Sequence, residues 1–219
     1  MKRPVVYVVL GMHRTGTSLA ASMLDAAGLP MCSEEDRSRR DTHQPYGYFE
    51  DTGMSTVNRA LLKTAGGSWA KVPSIAALSD ATELLHDIMV QAIRERSVHD
   101  EWGFKDPRTS LTCFAWDRIL REEHCIPRYV ITYRDETSVI ESLIRRNNRR
   151  HSEVQWARLY ADYYQSIHDF LKLQQRPHLP LHYRELTQGD TYSAVVMLAD
   201  WIGRRDRCMS MMGRVRRRE

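Results

Sequence analysis

The chain reads as an α/β protein with a three-layer parallel sheet and a phosphate-binding loop of P-loop outline. Three observations predict it. Val5 to Leu10 is a continuous apolar run rich in β-branched residues, the pattern of a strand buried on both faces. It leads directly into Gly11-Met12-His13-Arg14-Thr15-Gly16-Thr17-Ser18, a glycine-bounded turn that opens onto a helical pattern. Further strand-like runs then alternate with helical ones, which implies right-handed crossovers between parallel strands.

Leu19, Met23, Leu24 and Ala27 recur at helical spacing, with Gly28 placed to stop that helix. Residues 31 to 50 are polar and turn-rich and read as a long irregular loop, which in a compact domain points to function. Helical patterns follow over 51–66 and 79–96, the second with Leu84, Leu85, Ile88, Met89, Ala92 and Ile93 on one face. Trp102 to Lys105 reads as a second strand, ending at Asp106-Pro107 and followed by a helix over 110–123. Arg128 to Tyr133 is a third strand feeding a helix from Asp135, and a long helix over 152–174 comes next. Its Trp156, Tyr160, Tyr163, Tyr164, Ile167 and Phe170 read as core rather than as an acceptor pocket. Leu179 to Tyr183 is the last strand and Ser193 to Ile202 the last apolar helix, closed by Gly203.

Of the 219 residues, 42% are hydrophobic and 27% charged, which excludes a mainly disordered chain and a multi-span membrane protein. No run approaches the roughly 18 apolar residues of a membrane span, and the apolar stretch after Lys2 and Arg3 is too short for a signal peptide. Cys32, Cys113, Cys125 and Cys208 lack metal-site or redox spacing and read as reduced, packed thiols in a cytoplasmic protein. One domain over 1–203 and a basic tail over 204–219 are expected. The tail holds seven arginines against Asp206 and Glu219, so the +4 net charge is a nearly neutral domain with a basic end, either solvated or serving as a lid.

In an open parallel sheet ligands bind at the carboxyl ends of strands. Gly11 to Ser18, Lys105 to Thr109 and Arg134 all fall there. Backbone N–H groups of the first loop and the helix N-terminus suit an anion. A P-loop, however, requires Lys where Thr17 stands, which argues against an ordinary magnesium-dependent kinase or NTPase. Arg14 supplies the positive charge instead. Among 32 basic residues 27 are Arg, whose planar fork suits phosphate and sulfate, and within the domain the positions of interest are Arg14, Arg134 and Arg108.

These residues resemble the sulfotransferases that use 3′-phosphoadenosine 5′-phosphosulfate (PAPS), whose first loop reads G-x-P-R-[ST]-G-T-[ST]; His13 stands at the Pro position. The resemblance implies that His13, Arg14, Thr15, Gly16, Thr17 and Ser18 hold the 5′-phosphosulfate. It also implies that Arg134, with Ser142 eight residues on, grips the 3′-phosphate. Tyr46-Gly47-Tyr48-Phe49-Glu50-Asp51 is similar to the G-Y-[FW]-E-D element of bacterial sulfotransferase-like proteins. Gly103 to Arg108 resembles the K-D-P element of tyrosylprotein sulfotransferases, and His182 to Leu186 the family's Y-E-x-L segment. No match exists to the Arg-Lys-Gly loop that closes over the 3′-phosphate in cytosolic sulfotransferases.

Sulfuryl transfer asks for positioning and for cations near the leaving oxygen, as phosphoryl transfer does. Arg14 and Lys105 are the expected cations. Deprotonating a hydroxyl acceptor needs a nearby carboxylate or imidazole, for which Glu50 is the first choice, with Asp106 and His13 as alternatives. Tyr183 is placed to stack on adenine. The competing readings are a nucleotide or small-molecule kinase with a degenerate P-loop, and a non-catalytic nucleotide-binding module. A small-molecule, carbohydrate or peptide acceptor is expected, with no metal, nucleic acid or membrane span.

Overall fold

The computed structural model describes residues 3–42, 47–146 and 151–216. Lys2, Tyr46 and the last three residues, among them Arg217 and Arg218 of the basic end, lie outside the described residues. Among the described residues, four strands form one parallel sheet in the order β2-β1-β3-β4: β1 Val5–Leu10, β2 Glu101–Lys105, β3 Ile126–Tyr133 and β4 His178–His182. Its helices are α1 Thr17–Ala26, α2 Glu34–Ser38, α3 Thr52–Thr64, α4 Ile75–Leu84, α5 His86–Arg96, α6 Thr109–Glu122, α7 Glu136–Arg145, α8 Glu153–Gln174, α9 Tyr183–Thr187, α10 Thr191–Trp201 and α11 Cys208–Arg216.

Period-2 alternation sorts the central strand into two cores. Tyr7 and Val9 join a cluster with residues of α1, α10 and α11, while Val6, Val8 and Leu10 join one with α3, α5, α6 and α8. A third cluster, with Met12, Leu62, Leu111, Trp156 and Tyr163, lies beyond the strand's carboxyl end. The sheet is therefore covered on both faces. Strand order reverses at β1, with β2 on one side and β3 on the other, which makes the loop after β1 the switch point where open α/β sheets bind ligands.

Several sequence expectations are refined. The stretch read as one helix over 79–96 is two, because a Ser74 cap starts α4 at Ile75 and Leu85 (φ −108°) breaks the run. Leu84 and Ile88 are consequently exposed, while Met89 and Ile93 are buried, so the six apolar residues share no single face. The loop over 31–50 contains α2, capped by Ser33 and acidic in its first turn. Tyr183 opens α9 rather than ending β4. Past Gly203, a 3-10 turn at Arg205–Arg207 leads into α11, whose Met211 and Val215 are fully buried, so these residues are packed rather than solvated. The four cysteines are buried free thiols; burial pushes Cys32 up to about 11 and Cys113 up to about 12, leaving both unreactive. No helix of the described residues is long and apolar enough to cross a membrane.

Candidate anion-binding and transfer site

The loop after β1 is shaped by close contacts. Gly11 passes so near β3 that a Cβ there would lie 2.2 Å from Thr132 Oγ1, and its N–H donates to Ser110 Oγ at 2.9 Å. Gly16 has φ +97°, and a Cβ on it would meet Tyr183 Cδ2 at 2.6 Å. Glycine is required there for both reasons. Arg14, between them, also adopts a positive φ (71°), a strained conformation of the kind found at ligand-binding sites. No side chain caps α1, so its first N–H groups face the loop without a side-chain acceptor.

Arg14 projects from this loop to donate through Nε to Ser142 Oγ at 2.8 Å, which joins the first loop to α7. Arg134 reaches back in the other direction, donating to the Arg14 carbonyl at 3.1 Å. Strand register explains the next contact: Tyr133 pairs with His182, so the residues that follow them, Arg134 and Tyr183, are neighbours. The Arg134 guanidinium lies over the Tyr183 ring at 4.5 Å, an arrangement that takes up one face of the ring expected to stack on adenine. Tyr160 fixes the turn by donating to the Arg134 carbonyl at 2.8 Å. Arg146, just past α7, donates to Tyr48 Oη at 3.0 Å. Burial first, and then the charges of Arg146 and Arg134, lower the pKa of Arg14. Cations that repel one another in a partly desolvated cleft make it a candidate site for an anion.

Lys105, at the end of β2 and almost fully buried, donates through Nζ to Glu50 Oε1 at 2.8 Å and to Ser18 Oγ at 3.1 Å. Glu50 thus stands at the mouth of the cradle. Burial alone would raise its pKa, but the Lys105 ammonium, with Arg108 beyond it, outweighs that and holds the carboxyl below its usual range. His13 packs edge-on against Trp69 (4.9 Å) and Tyr163 (6.3 Å), its Nε2 buried with no protein partner. Burial pulls its pKa down to about 3, so the ring is neutral. Asp106 is fully buried, both oxygens engaged by Arg108 Nε and one also by Asn58.

The structure thus brings Arg14, Gly16, Ser18, Arg134, Ser142 and Tyr183 around one cradle, with Lys105 and Glu50 beside it. Thr15 and Thr17 are buried, and the Thr15 hydroxyl faces inward, donating to the Met12 carbonyl at 2.7 Å and accepting from Thr132 Oγ1 at 2.9 Å. Three nearby residues were not singled out from sequence. Arg146 lies one turn beyond Ser142, Tyr48 lies within the aromatic loop element, and Asn58 interrupts the apolar stripe of Met54, Leu61 and Leu62, which was its legible signal. Among the described residues no three His, Cys, Asp or Glu side chains are grouped as a metal ion requires.

A cation-lined cradle at the switch point of a parallel α/β sheet has the chemistry that suits a phosphate- or sulfate-bearing group. A family model described as "Sulfotransferase family" matches residues 5–204, and the chain belongs to that family. Its fold is similar to that of the sulfotransferase domain from the Synechococcus PCC 7002 olefin synthase (TM-score 0.52, 18% identity, 93% of this chain and 74% of that one). It is likewise similar to the sulfotransferase domain from the curacin biosynthetic pathway (TM-score 0.53, 16% identity, 93% of this chain and 75% of that one). No curated protein sequence matches the chain.

Proposed function

We propose that the chain transfers a sulfuryl group from PAPS to a hydroxyl or amine acceptor by in-line displacement. The observation that carries this reading is the meeting of Arg14, Ser142 and Arg134 over the uncapped start of α1. Separate segments deliver donors to one small volume, as a dianionic phosphate needs. The cradle fits a nucleotide-borne anion, since Gly16 keeps its surface free of a side chain and Tyr183 walls it. PAPS supplies an activated sulfuryl group on a phosphate leaving group.

In this reading Arg134, Ser142 and Arg146 hold the 3′-phosphate, and the Gly11 to Ser18 loop with Arg14 holds the 5′-phosphosulfate. Lys105 lies next to Ser18, where its charge offsets that developing on the leaving oxygen. Glu50 takes the proton of the acceptor hydroxyl. Its Oε2 lies 3.8 Å from Arg108 Nη2, beyond hydrogen-bond distance, whereas both oxygens of Asp106 are bound and His13 is a weak base with Nε2 sealed from the cleft. A small-molecule, carbohydrate or peptide acceptor fits this chemistry. The named relatives belong to biosynthetic enzymes, so small-molecule alcohols come first in an acceptor screen.

The test is binding of adenosine 3′,5′-bisphosphate by the purified chain without magnesium, followed by sulfate transfer from PAPS to a panel of alcohols. Tight binding with transfer is expected. If ATP with magnesium binds tightly and the bisphosphate does not, the reading fails and a kinase replaces it.

A further inference from the structure

A buried polar network runs from α3 to Glu50. Asn58, fully buried, uses all four of its hydrogen-bonding positions. Its Nδ2 donates to Asp106 Oδ2 at 3.1 Å and Thr109 Oγ1 at 2.8 Å, and its Oδ1 accepts from Thr112 Oγ1 at 2.7 Å and Trp116 Nε1 at 2.8 Å. Only one orientation of the amide satisfies these partners. Asp106 is held in turn, and it accepts from the Arg108 backbone N–H at 3.0 Å and from Arg108 Nε at 2.9 Å and 3.0 Å.

This clamp uses the Arg108 guanidinium in an informative way. An arginine present only to neutralise a buried carboxylate would offer the two-nitrogen fork that suits bidentate pairing. Here Nε and the backbone N–H make the contacts, and the outer edge points away from Asp106, with Nη2 3.8 Å from Glu50 Oε2. The side chain is 15% exposed and clamped at Nε, so its Nη2, on the Glu50 side, has little rotational freedom left to lose.

We propose that Arg108, locked by the Asn58–Asp106 clamp, is a further cation of the transfer site, binding oxygens of the sulfuryl group in transfer and holding Glu50 toward the acceptor. The inference rests on the sulfuryl-transfer reading above. Asn58 acts through Arg108 and is a positioning residue. The charged or titratable groups facing Glu50 are Lys105 from β2, His13 from the loop after β1, and Arg108 and Asp106 from the turn after β2.

In the full chain, Arg108→Ala should lower kcat by roughly 10²-fold, the scale for losing one preorganised donor, while bisphosphate binding stays near wild type. The acid limb of its kcat–pH profile should move to higher pH, because Glu50 loses a cation that keeps it ionised. Arg108→Lys keeps the charge and should restore the limb, but only part of the rate, since the planar fork is gone. Asn58→Ala should shift the limb in the same direction and add little to Arg108→Ala, as both act through one guanidinium. Should Asn58→Ala fail to fold, the two Arg108 variants decide the matter. Wild-type kcat and limb in Arg108→Ala would overturn the inference while leaving sulfuryl transfer standing. A wild-type chain that binds no bisphosphate and transfers no sulfate removes the reading beneath it, and the two failures are thereby distinct.

Discussion

Glu50 is aimed by its neighbours on either side. Phe49 is buried with the α1 and α11 side chains at a positive φ of 53°, a backbone cost that its packing sustains, with the Arg214 guanidinium 5.8 Å from its ring. Asp51, buried on the other side, accepts from Met54 N at 3.0 Å and caps α3. Between these anchors the Glu50 carboxylate meets Lys105. Glu50→Gln should therefore lower kcat by about 10²–10⁴-fold, the range for losing a general base, and leave bisphosphate affinity intact. A base must be ionised to work, and Glu50 is held below the ordinary carboxylate range, so activity should fall only as pH drops through that lowered value. An acid limb above the ordinary range in a kcat–pH profile would instead point to Asp106, whose pKa burial raises. Arg134→Ala removes a charge-assisted contact worth about 1.5–3 kcal/mol, and a bisphosphate titration should show the matching loss in Kd. An unchanged Kd would take Arg134 out of the site.

At the scale of elements, what was legible in the sequence follows from how local each cause is. β1 announces itself because burial on both faces demands a continuous apolar run, β3 by its β-branched and aromatic Tyr129 to Tyr133, and the Gly11 to Ser18 loop because its backbone needs glycines five residues apart. The pairing of Arg134 with Ser142 was legible only through the family resemblance, since an Arg and a Ser eight residues apart carry almost no signal by themselves. The break at Leu85 was not visible, since one non-helical residue leaves apolar periodicity almost unchanged. Nor was α11, a short segment between a run of charged residues and the arginine-rich end, whose buried pair is Met211 and Val215 and whose place on α1 is a long-range contact. The partners of Asn58 and Arg108 lie on other elements and emerge only when the chain folds. Two substitutions test these elements. Gly16→Ala forces a Cβ into Tyr183 at a left-handed position, costing about 1–2 kcal/mol for the backbone alone, so both Tm and bisphosphate binding should fall. Tyr183→Ala in that background should recover some stability, because it removes the contact but leaves the backbone cost. Met211→Ala should destabilise the chain by about 2–5 kcal/mol in a denaturant melt if α11 is part of the core, and by almost nothing if it is an appendage.

Across the whole molecule the cradle is where distant parts of the chain meet. The segments that follow β1 and β3 supply Arg14 and Arg134, α9 after β4 supplies Tyr183, and α7 adds Ser142. One sheet lies between two cores, and the third cluster, with Met12 at the cradle and Trp156 and Tyr163 on α8, closes its carboxyl edge. A ligand bound there would add contacts to segments already joined by Arg14–Ser142, Arg134–Arg14 and Lys105–Ser18 hydrogen bonds, and would bind the folded chain only. Its effect on stability follows from mass action: at a hundred times Kd, the folded state gains about 2.7 kcal/mol. For a chain of this size each kcal/mol moves Tm by about 2–4 °C, so adenosine 3′,5′-bisphosphate should raise Tm by roughly 5–10 °C in a single transition, with no magnesium added. The shift should shrink as salt rises, because the cleft's arginines attract the nucleotide through charges that are only partly shielded from solvent. Arg134→Ala at the same ligand concentration should lose most of it, and Glu50→Gln none. A shift that magnesium-ATP reproduces and the bisphosphate does not would mean that the cradle is built for a different nucleotide.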